Sequence, residues 1–225
     1  MKILAIDTAT RFLCLGLYVD GKLYEYNLEA GRKLSAVLAP SIQRVLEAAK
    51  VKIRDIGYFA CGFGPGSFTG MRIGLATIKG LSIVRDKPVA GISTLDIMAE
   101  NVTQDNILIV PAVDARRGLI YCCSYRKEKG ILKRKSEYGL LSPDEFTRRF
   151  SGKKAVILGD AISLYDKRIF SRMKGVTLLD KDFWMPNAHN LIKLSLERVK
   201  AGKLNTAQEI KPIYLYPQEC QIKRR

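Results

Sequence analysis

The sequence is poor in the residues on which most catalytic and metal sites depend. Its 225 residues include a single histidine, His189, and one histidine is too few for the clusters that hold zinc or iron. No Ser-His-Asp or Cys-His set can be assembled without that residue. Neither a Walker phosphate loop nor a Gly-x-Ser-x-Gly nucleophile turn occurs. We therefore predict no metal site and no catalytic residue, and we interpret His189 as an exposed residue at a helix start.

Long apolar runs and paired cysteines are also missing. No stretch approaches the roughly 18 apolar residues of a membrane span, and the N-terminus reaches Asp7 too soon for a signal peptide. None of the cysteines forms a CxxC pair, and an odd, scattered set is typical of reduced core thiols. These features predict a soluble, cytoplasmic protein. The cysteines are Cys14, Cys61, Cys122, Cys123 and Cys220.

Negative charge is scarce relative to positive charge. Lysine and arginine total 38 against 22 acidic residues, which gives a formal net charge of +16. Such an excess attracts polyanions, but no RNA-binding aromatic motif accompanies it. Two interpretations stay open: a protein that works near RNA, and a solvated basic surface without a specific partner. The basic runs include Arg116-Arg117, Lys133-Arg134-Lys135, Arg148-Arg149, Lys153-Lys154 and the tail Lys223-Arg224-Arg225.

What the sequence does contain is a repeated pattern of predicted elements, supported by an apolar content of 47%. The first copy has strands at 2–7, 12–19, 22–29, 58–61 and 89–92 and helices at 34–50, 71–84 and 94–102. The second has strands at 107–113, 119–126, 131–138, 155–158 and 176–179 and helices starting at 142, 161 and 187. Pro40 marks either a kink or the start of the first helix.

Each copy follows the order strand, strand, strand, helix, strand, helix, strand, helix. Each also opens with a buried strand that ends in an aspartate, Asp7 or Asp114, before a hairpin. We predict an α/β protein of two lobes, 1–104 and a reduced 105–225, with a helix at 187–201 packing back on the first lobe. This organisation resembles the actin, sugar-kinase and Hsp70 (ASKHA) group of folds, in which the first turn of each lobe binds nucleotide phosphates.

The two turns are poor in the glycine that lets a backbone approach a phosphate closely. The first reads Asp7-Thr8-Ala9-Thr10, and the second reads Asp114-Ala115-Arg116-Arg117-Gly118. One hypothesis is a vestigial nucleotide cleft that includes Asp7, Thr8, Asp114 and Arg116. The alternative, which we favour, is that the two aspartates only cap their turns.

The most informative segment runs from Gly62 to Gly74, between a buried strand and a helix. Gly64-Pro65-Gly66 predicts a tight turn, and Ser67 or Thr69 is expected to cap the helix. Gly70, Gly74 and Gly80 each cost about 1 kcal/mol in a helix relative to alanine. Close approach of another element would offset that cost, and a phosphate at the helix N-terminus is the alternative.

Residues 64–74, GPGSFTGMRIG, resemble the GPGSFTGxRxG signature of the TsaB (YeaZ) family. The residues at signature positions include Gly64, Pro65, Gly66, Ser67, Thr69, Gly70 and Arg72. Segments 3–10, 91–95, 113–118 and 211–215 resemble further family blocks in order. One departure is at Arg32-Lys33-Leu34-Ser35, where the family often carries Arg-x-His-Ser.

The resemblance implies an ASKHA fold and a function in making threonylcarbamoyladenosine beside the tRNA anticodon. It further implies a non-catalytic subunit that scaffolds a TsaD-like catalytic subunit, with a TsaE-like ATPase in the same assembly. ATP and metal are then expected on the partner subunits rather than on this chain. A homodimer in isolation and tRNA nearby or weakly bound are also expected.

The family docks through its first two helices, which here are 34–50 and 70–84. The residues that we predict at or near this face are Leu38, Ile42, Val45, Met71, Gly74 and Leu75. Three alternatives remain. The first is a nucleotide-dependent phosphotransferase, the second is a metalloprotease, which one histidine disfavours, and the third is direct tRNA binding, which rests on charge alone.

Overall fold

The computed structural model describes residues 1–165 and 169–217. The chain divides into two compact units. Unit 1 contains Met1–Ile97 and Pro186–Ile213, and unit 2 contains Met98–Met185 together with the described residues from Tyr214 onward. Cys220 and the basic tail Lys223-Arg224-Arg225 lie outside the described residues.

Unit 1 is built on a five-stranded sheet with the order β3-β2-β1-β4-β5. Its strands are β1 Lys2–Asp7, β2 Phe12–Val19, β3 Lys22–Glu29, β4 Tyr58–Gly62 and β5 Val89–Ile92. The first three strands are antiparallel, and β4 and β5 run parallel to β1. A tight turn at Asp20-Gly21, both with positive φ, joins β2 to β3, as the Asp-Gly pair predicts.

Two helices cover one face of this sheet and a third covers the other. They are α1 Leu34–Ala48, α2 Phe68–Arg85 and, on the opposite face, α6 Ala188–Lys200. The apolar positions of α1 recur at helical spacing and point inward. Pro40 lies inside α1, so the interpretation that it marks the helix start is wrong. A short helix, α3 Thr94–Ala99, follows β5.

Unit 2 repeats the same sheet order with one addition. Its strands are β6 Leu108–Arg116, β7 Leu119–Cys122, β8 Tyr125–Glu128, β9 Ile131–Arg134, β10 Gly139–Leu141, β11 Ala155–Leu158 and β12 Val176–Leu178. The order β10-β7-β6-β11-β12 matches that of unit 1, and the β8–β9 hairpin is the added element. Helices α4 Pro143–Phe150 and α5 Ala161–Tyr165 complete the unit. The Ser142 side chain caps α4, and Glu145 completes a capping box with it.

Two predicted strands of unit 2 differ in the structure, one by being divided and the other by ending early. The predicted strand 119–126 is interrupted at Cys123 and Ser124, although β7 and β8 pair with β6 in a single register. That register places the interruption opposite Val110 and Pro111, and proline has no N–H to donate to a ladder. Ser124 instead bonds Ser136 and Lys135. The predicted strand 131–138 ends early, as β9 at Arg134, and β10 lies beyond it at Gly139–Leu141, where the sequence analysis placed no strand.

The unit boundary differs from the sequence-based division at residue 104. The division falls after Ile97, because the residues that follow are held by unit 2. The Asn101 amide donates to the carbonyls of Phe183 and Met185, and Glu100 forms a buried ion pair with Lys127. Residues 186–213, assigned from sequence to the second lobe, group with unit 1, where α6 packs on the sheet.

Candidate functional site

The glycine segment lies directly against the turn that follows β1. The Ser67 side chain caps α2 by accepting from the Gly70 N–H, and the Ser67 N–H donates to the Ala9 carbonyl at 2.6 Å. The Thr8 hydroxyl donates to the Gly70 carbonyl at 2.7 Å. The start of α2 is therefore joined to the β1–β2 turn from both sides. Of the two predicted caps, Ser67 performs the role and Thr69 is exposed.

Three of the signature glycines, Gly66, Gly70 and Gly74, lie at this contact. A Cβ at Gly66 would lie under 3.0 Å from the Ala9 backbone, and a Cβ at Gly70 would overlap the Thr8 carbonyl oxygen. A Cβ at Gly74 would overlap the Thr8 hydroxyl. The prediction that close approach explains these glycines is confirmed for Gly70 and Gly74. Gly80 is different, since no atom of residues 1–165 or 169–217 lies within 4 Å of the position its Cβ would take.

Asp7 is enclosed beneath the same turn. One carboxylate oxygen accepts from the Ala9 N–H at 2.7 Å and the other accepts from the Thr94 hydroxyl at 2.7 Å. Complete burial raises the pKa of Asp7, although these two hydrogen bonds lower it in part. Asp7, Thr8 and Ala9 are all fully or almost fully buried. Asp7 acts as the cap of its turn, and its carboxylate is covered by protein.

The corresponding turn of unit 2, between β6 and β7, is organised differently. The Asp114 carboxylate accepts from the Arg116 N–H at 2.8 Å and pairs with its guanidinium at 3.1 Å. The Asp114 N–H donates to the Asp160 carboxylate at 2.9 Å. Arg116 and Arg117 both have positive φ. Asp114 therefore also caps its turn, while the Arg116 side chain is 86% exposed.

The six residues predicted at the docking face all point inward. Leu38, Ile42, Val45 and Leu75 belong to the core of unit 1, and Met71 and Gly74 are buried as well. A partner cannot reach them, so their assignment as contact residues needs correction. The sequence pattern marked them because apolar residues at helical spacing usually face a core.

The outward side of α2 carries a different set of residues. Ala76 and Gly80 are exposed there, and Ile83 and Val84 are 58% and 78% exposed. Near the helix start the Arg72 guanidinium stacks on the Phe68 ring at 3.7 Å, and Phe68 is itself 42% exposed. These residues follow the spacing of the helix face opposite the core, so the sequence pattern does contain a signal for them.

Metal-ligating residues do not cluster in the described part of the chain. Residues 1–165 and 169–217 contain no group of three or more His, Cys, Asp and Glu side chains arranged to hold a metal ion. His189 is 67% exposed and lies just after Asn187, whose side chain caps α6. The four cysteines in this range are buried, as predicted for core thiols. Within it, no helix has the length and apolar character needed to cross a membrane.

The chain is similar to proteins of one biosynthetic system. Residues 28–161 match the family model described as TsaD, tRNA N6-adenosine threonylcarbamoyltransferase. The chain is 31% identical over 221 residues to the tRNA threonylcarbamoyladenosine biosynthesis protein TsaB of Escherichia coli, covering 96% of this chain and 94% of that protein. It is 34% identical over 133 residues to the protein of the same name from Bacillus subtilis, covering 59% and 58% of the two chains.

Solved structures show the same similarity at the level of the fold. YeaZ from Pseudomonas aeruginosa superposes with a TM-score of 0.84 at 25% identity, covering 95% of this chain and 99% of that one. A second Pseudomonas aeruginosa structure, described as similar to peptidase YEAZ, gives the same TM-score and identity. The two-sheet α/β architecture predicted from sequence is therefore confirmed.

Proposed function

The chain belongs to the TsaB (YeaZ) family, and from that membership we propose that it serves in the biosynthesis of tRNA threonylcarbamoyladenosine as a non-catalytic partner subunit. The observation that carries the non-catalytic part is the closed first turn. Asp7, Thr8 and Ala9, where a phosphate-binding relative would receive its nucleotide, are buried under the start of α2. Chemistry would then fall to a TsaD-like subunit that this chain supports.

We propose the outward side of α2, together with the neighbouring outward side of α1, as the docking surface for that subunit. Both helices cover the same face of the sheet in unit 1. Ala76 and Gly80 leave the α2 backbone unshielded, and small residues let a partner helix approach closely. Ile83 and Val84 supply exposed apolar area at the end of the helix, which supports a protein partner.

Gly80 is the residue that best supports this placement. In an exposed helix interior glycine costs about 1 kcal/mol relative to alanine, and no packing contact among the described residues requires it. Close approach of an outside helix would explain its presence. A TsaE-like ATPase, self-association through the same surface and a cytoplasmic location complete the proposal. ATP and metal are proposed on the partner subunits.

The experiment is co-purification of a tagged TsaD-like subunit with Gly80→Arg. Arginine favours a helix more than glycine does and the site is open, so the variant is expected to fold. The matched control is His189→Arg, since His189 is 67% exposed on α6 at the opposite face of the same sheet. Substitution of Gly74 is unsuitable, because Gly74 is buried against Thr8 and its loss would disturb folding.

We expect Gly80→Arg to lose at least tenfold in affinity for the TsaD-like subunit while His189→Arg binds as the wild type does. A loss of that size is expected because the arginine would bury a charge at the centre of the interface without a partner of opposite charge. Retention of wild-type affinity by Gly80→Arg, with its fold verified by circular dichroism, would remove α2 from the docking surface.

A further inference from the structure

The hairpin that unit 2 adds to the shared sheet order carries the densest positive charge in the described chain. Between Tyr125 and Lys135 there are six basic residues and one acidic residue. Lys127 is used internally, since its ammonium contacts the buried Glu100 carboxylate at 2.9 Å and the Val102 carbonyl at 2.8 Å. The remaining five basic residues are all exposed: Arg126, Lys129, Lys133, Arg134 and Lys135.

The register of the hairpin gathers part of this charge on one side. Tyr125 and Lys127 are buried, so Arg126, which lies between them in β8, points outward. Arg126 is directly opposite Lys133 of β9 in the antiparallel register. Like charges in such a cross-strand pair destabilise a hairpin. An anion bound between them would reverse that effect.

One acidic residue of the hairpin, Glu128, neutralises part of this positive charge. Glu128 accepts from Lys133 at 2.8 Å and from Lys135 at 2.7 Å, and these bonds lower the pKa of Glu128 to about 2. The other nearby carboxylate, Asp105, accepts from the Gly130 N–H at the hairpin tip. Within residues 1–165 and 169–217 no carboxylate pairs with Arg126 or Lys129, so the hairpin keeps a net positive charge.

The geometry points to a second role for this chain: we propose that the outer side of the β8–β9 hairpin binds the phosphate backbone of RNA. Phosphate oxygens are the acceptors that lysine and arginine at such a surface recognise, and each contact releases condensed counterions. The Arg134 guanidinium over the Tyr138 ring at 4.6 Å adds a flat stacking surface of the kind that RNA-binding proteins use. The choice of RNA as the polyanion rests on the proposed function, whereas the surface itself rests on the hairpin.

The test measures binding of a tRNA transcript to the full chain alone, over a range of salt concentrations. The hairpin variant is R126Q/K129Q/K133Q. The matched control is R148Q/R149Q/K153Q, which removes three exposed basic residues around the end of α4 in the same unit. Thermal melting checks that both variants fold.

We expect the hairpin variant to bind about 10-fold to 100-fold more weakly and to reduce the slope of log K against log salt by about 2. The control is expected to change affinity by about threefold or less. Glu128→Gln tests the opposite direction, since freeing Lys133 and Lys135 should tighten binding by about threefold and steepen the slope.

Three results would overturn the proposal. Equal losses in the two triple variants would show that only diffuse charge matters, and an unchanged salt slope would show that the hairpin contacts no phosphates. Loss of binding to phosphatidylserine vesicles without loss of tRNA binding would assign the surface to a membrane instead. The tRNA-binding test contains no partner subunit, so its failure is separate from failure of the docking proposal. The hairpin variant should still co-purify with the TsaD-like subunit.

Discussion

Two glycines of α2, Gly74 and Gly80, are expected to change stability in opposite directions when each is replaced by alanine. Gly74→Ala and Gly80→Ala introduce the same methyl group into the same helix, and each should gain about 1 kcal/mol of helix propensity. At Gly80 the methyl group meets nothing within 4 Å, so that gain should appear in full. The unfolding temperature of Gly80→Ala should therefore rise by about 2–4 °C.

At Gly74 the methyl group would overlap the Thr8 hydroxyl. Thr8 is completely buried, its β-branched side chain has few alternative rotamers, and its hydroxyl bonds the Gly70 carbonyl at 2.7 Å. Overpacking costs about 1–3 kcal/mol, and loss of that buried hydrogen bond costs about 1–3 kcal/mol more. After subtraction of the propensity gain, we expect Gly74→Ala to destabilise the chain by about 1–5 kcal/mol.

Urea denaturation followed by circular dichroism measures both free energies of unfolding. Gly70→Ala is a further check, because its methyl group meets the Thr8 backbone carbonyl, which cannot rotate away. The reasoning is refuted if Gly74→Ala and Gly80→Ala change stability by the same amount, since the glycines would then not serve the contact between α2 and the β1–β2 turn.

Three further predictions concern buried charge and backbone conformation. Lys127→Met should destabilise the chain by about 3–5 kcal/mol by leaving Glu100 buried without its cation, and K127M/E100L should recover most of that loss in urea denaturation. Arg117 has a φ of +52°, so Arg117→Asn should stabilise the chain by about 1 kcal/mol in the same assay, because asparagine tolerates this conformation better. Burial raises the pKa of Asp7 above its ordinary value of 3.8, so the folded state holds its proton more tightly and the contribution of Asp7 to stability should fall as pH rises above 3.8. Asp7→Asn should remove that fall, and an unchanged pH profile of unfolding would contradict it.

Most of the fold could be predicted from the sequence, because the spacing of apolar residues and the positions of turn-favouring residues indicated the same elements. The alternation in β2 and the Asp20-Gly21 turn fixed the first hairpin to the residue. Local pattern could not show that Pro111 would interrupt the neighbouring strand, since that effect acts across the sheet. The predicted lobe boundary at residue 104 differs from the structure for the same reason, because local pattern could not show the ion pair between Glu100 and Lys127.

The position of the candidate site along the chain was predicted from the sequence, whereas the side of α2 that forms it was not. The glycine segment predicted the start of α2 and its close packing, because glycine destabilises a helix and is expected there only where close packing offsets that cost. The contact that Gly70 and Gly74 make is with Thr8, a residue far away in the chain that the local pattern of α2 does not identify. Apolar content favoured Met71 and Leu75, whereas the exposed side is formed by Ala76 and Gly80.

The central claim is tested most directly by the threonylcarbamoyladenosine content of tRNA in cells depleted of this chain and supplied with variants. Mass spectrometry of tRNA digests is expected to show full restoration by the wild type and by His189→Arg, and little restoration by Gly80→Arg. Asp7→Asn should also restore the modification, since the proposal assigns Asp7 the capping of a turn and no part in chemistry. Full restoration by Gly80→Arg, or none by Asp7→Asn expressed as a folded protein, would contradict the account of a non-catalytic subunit that docks through α2.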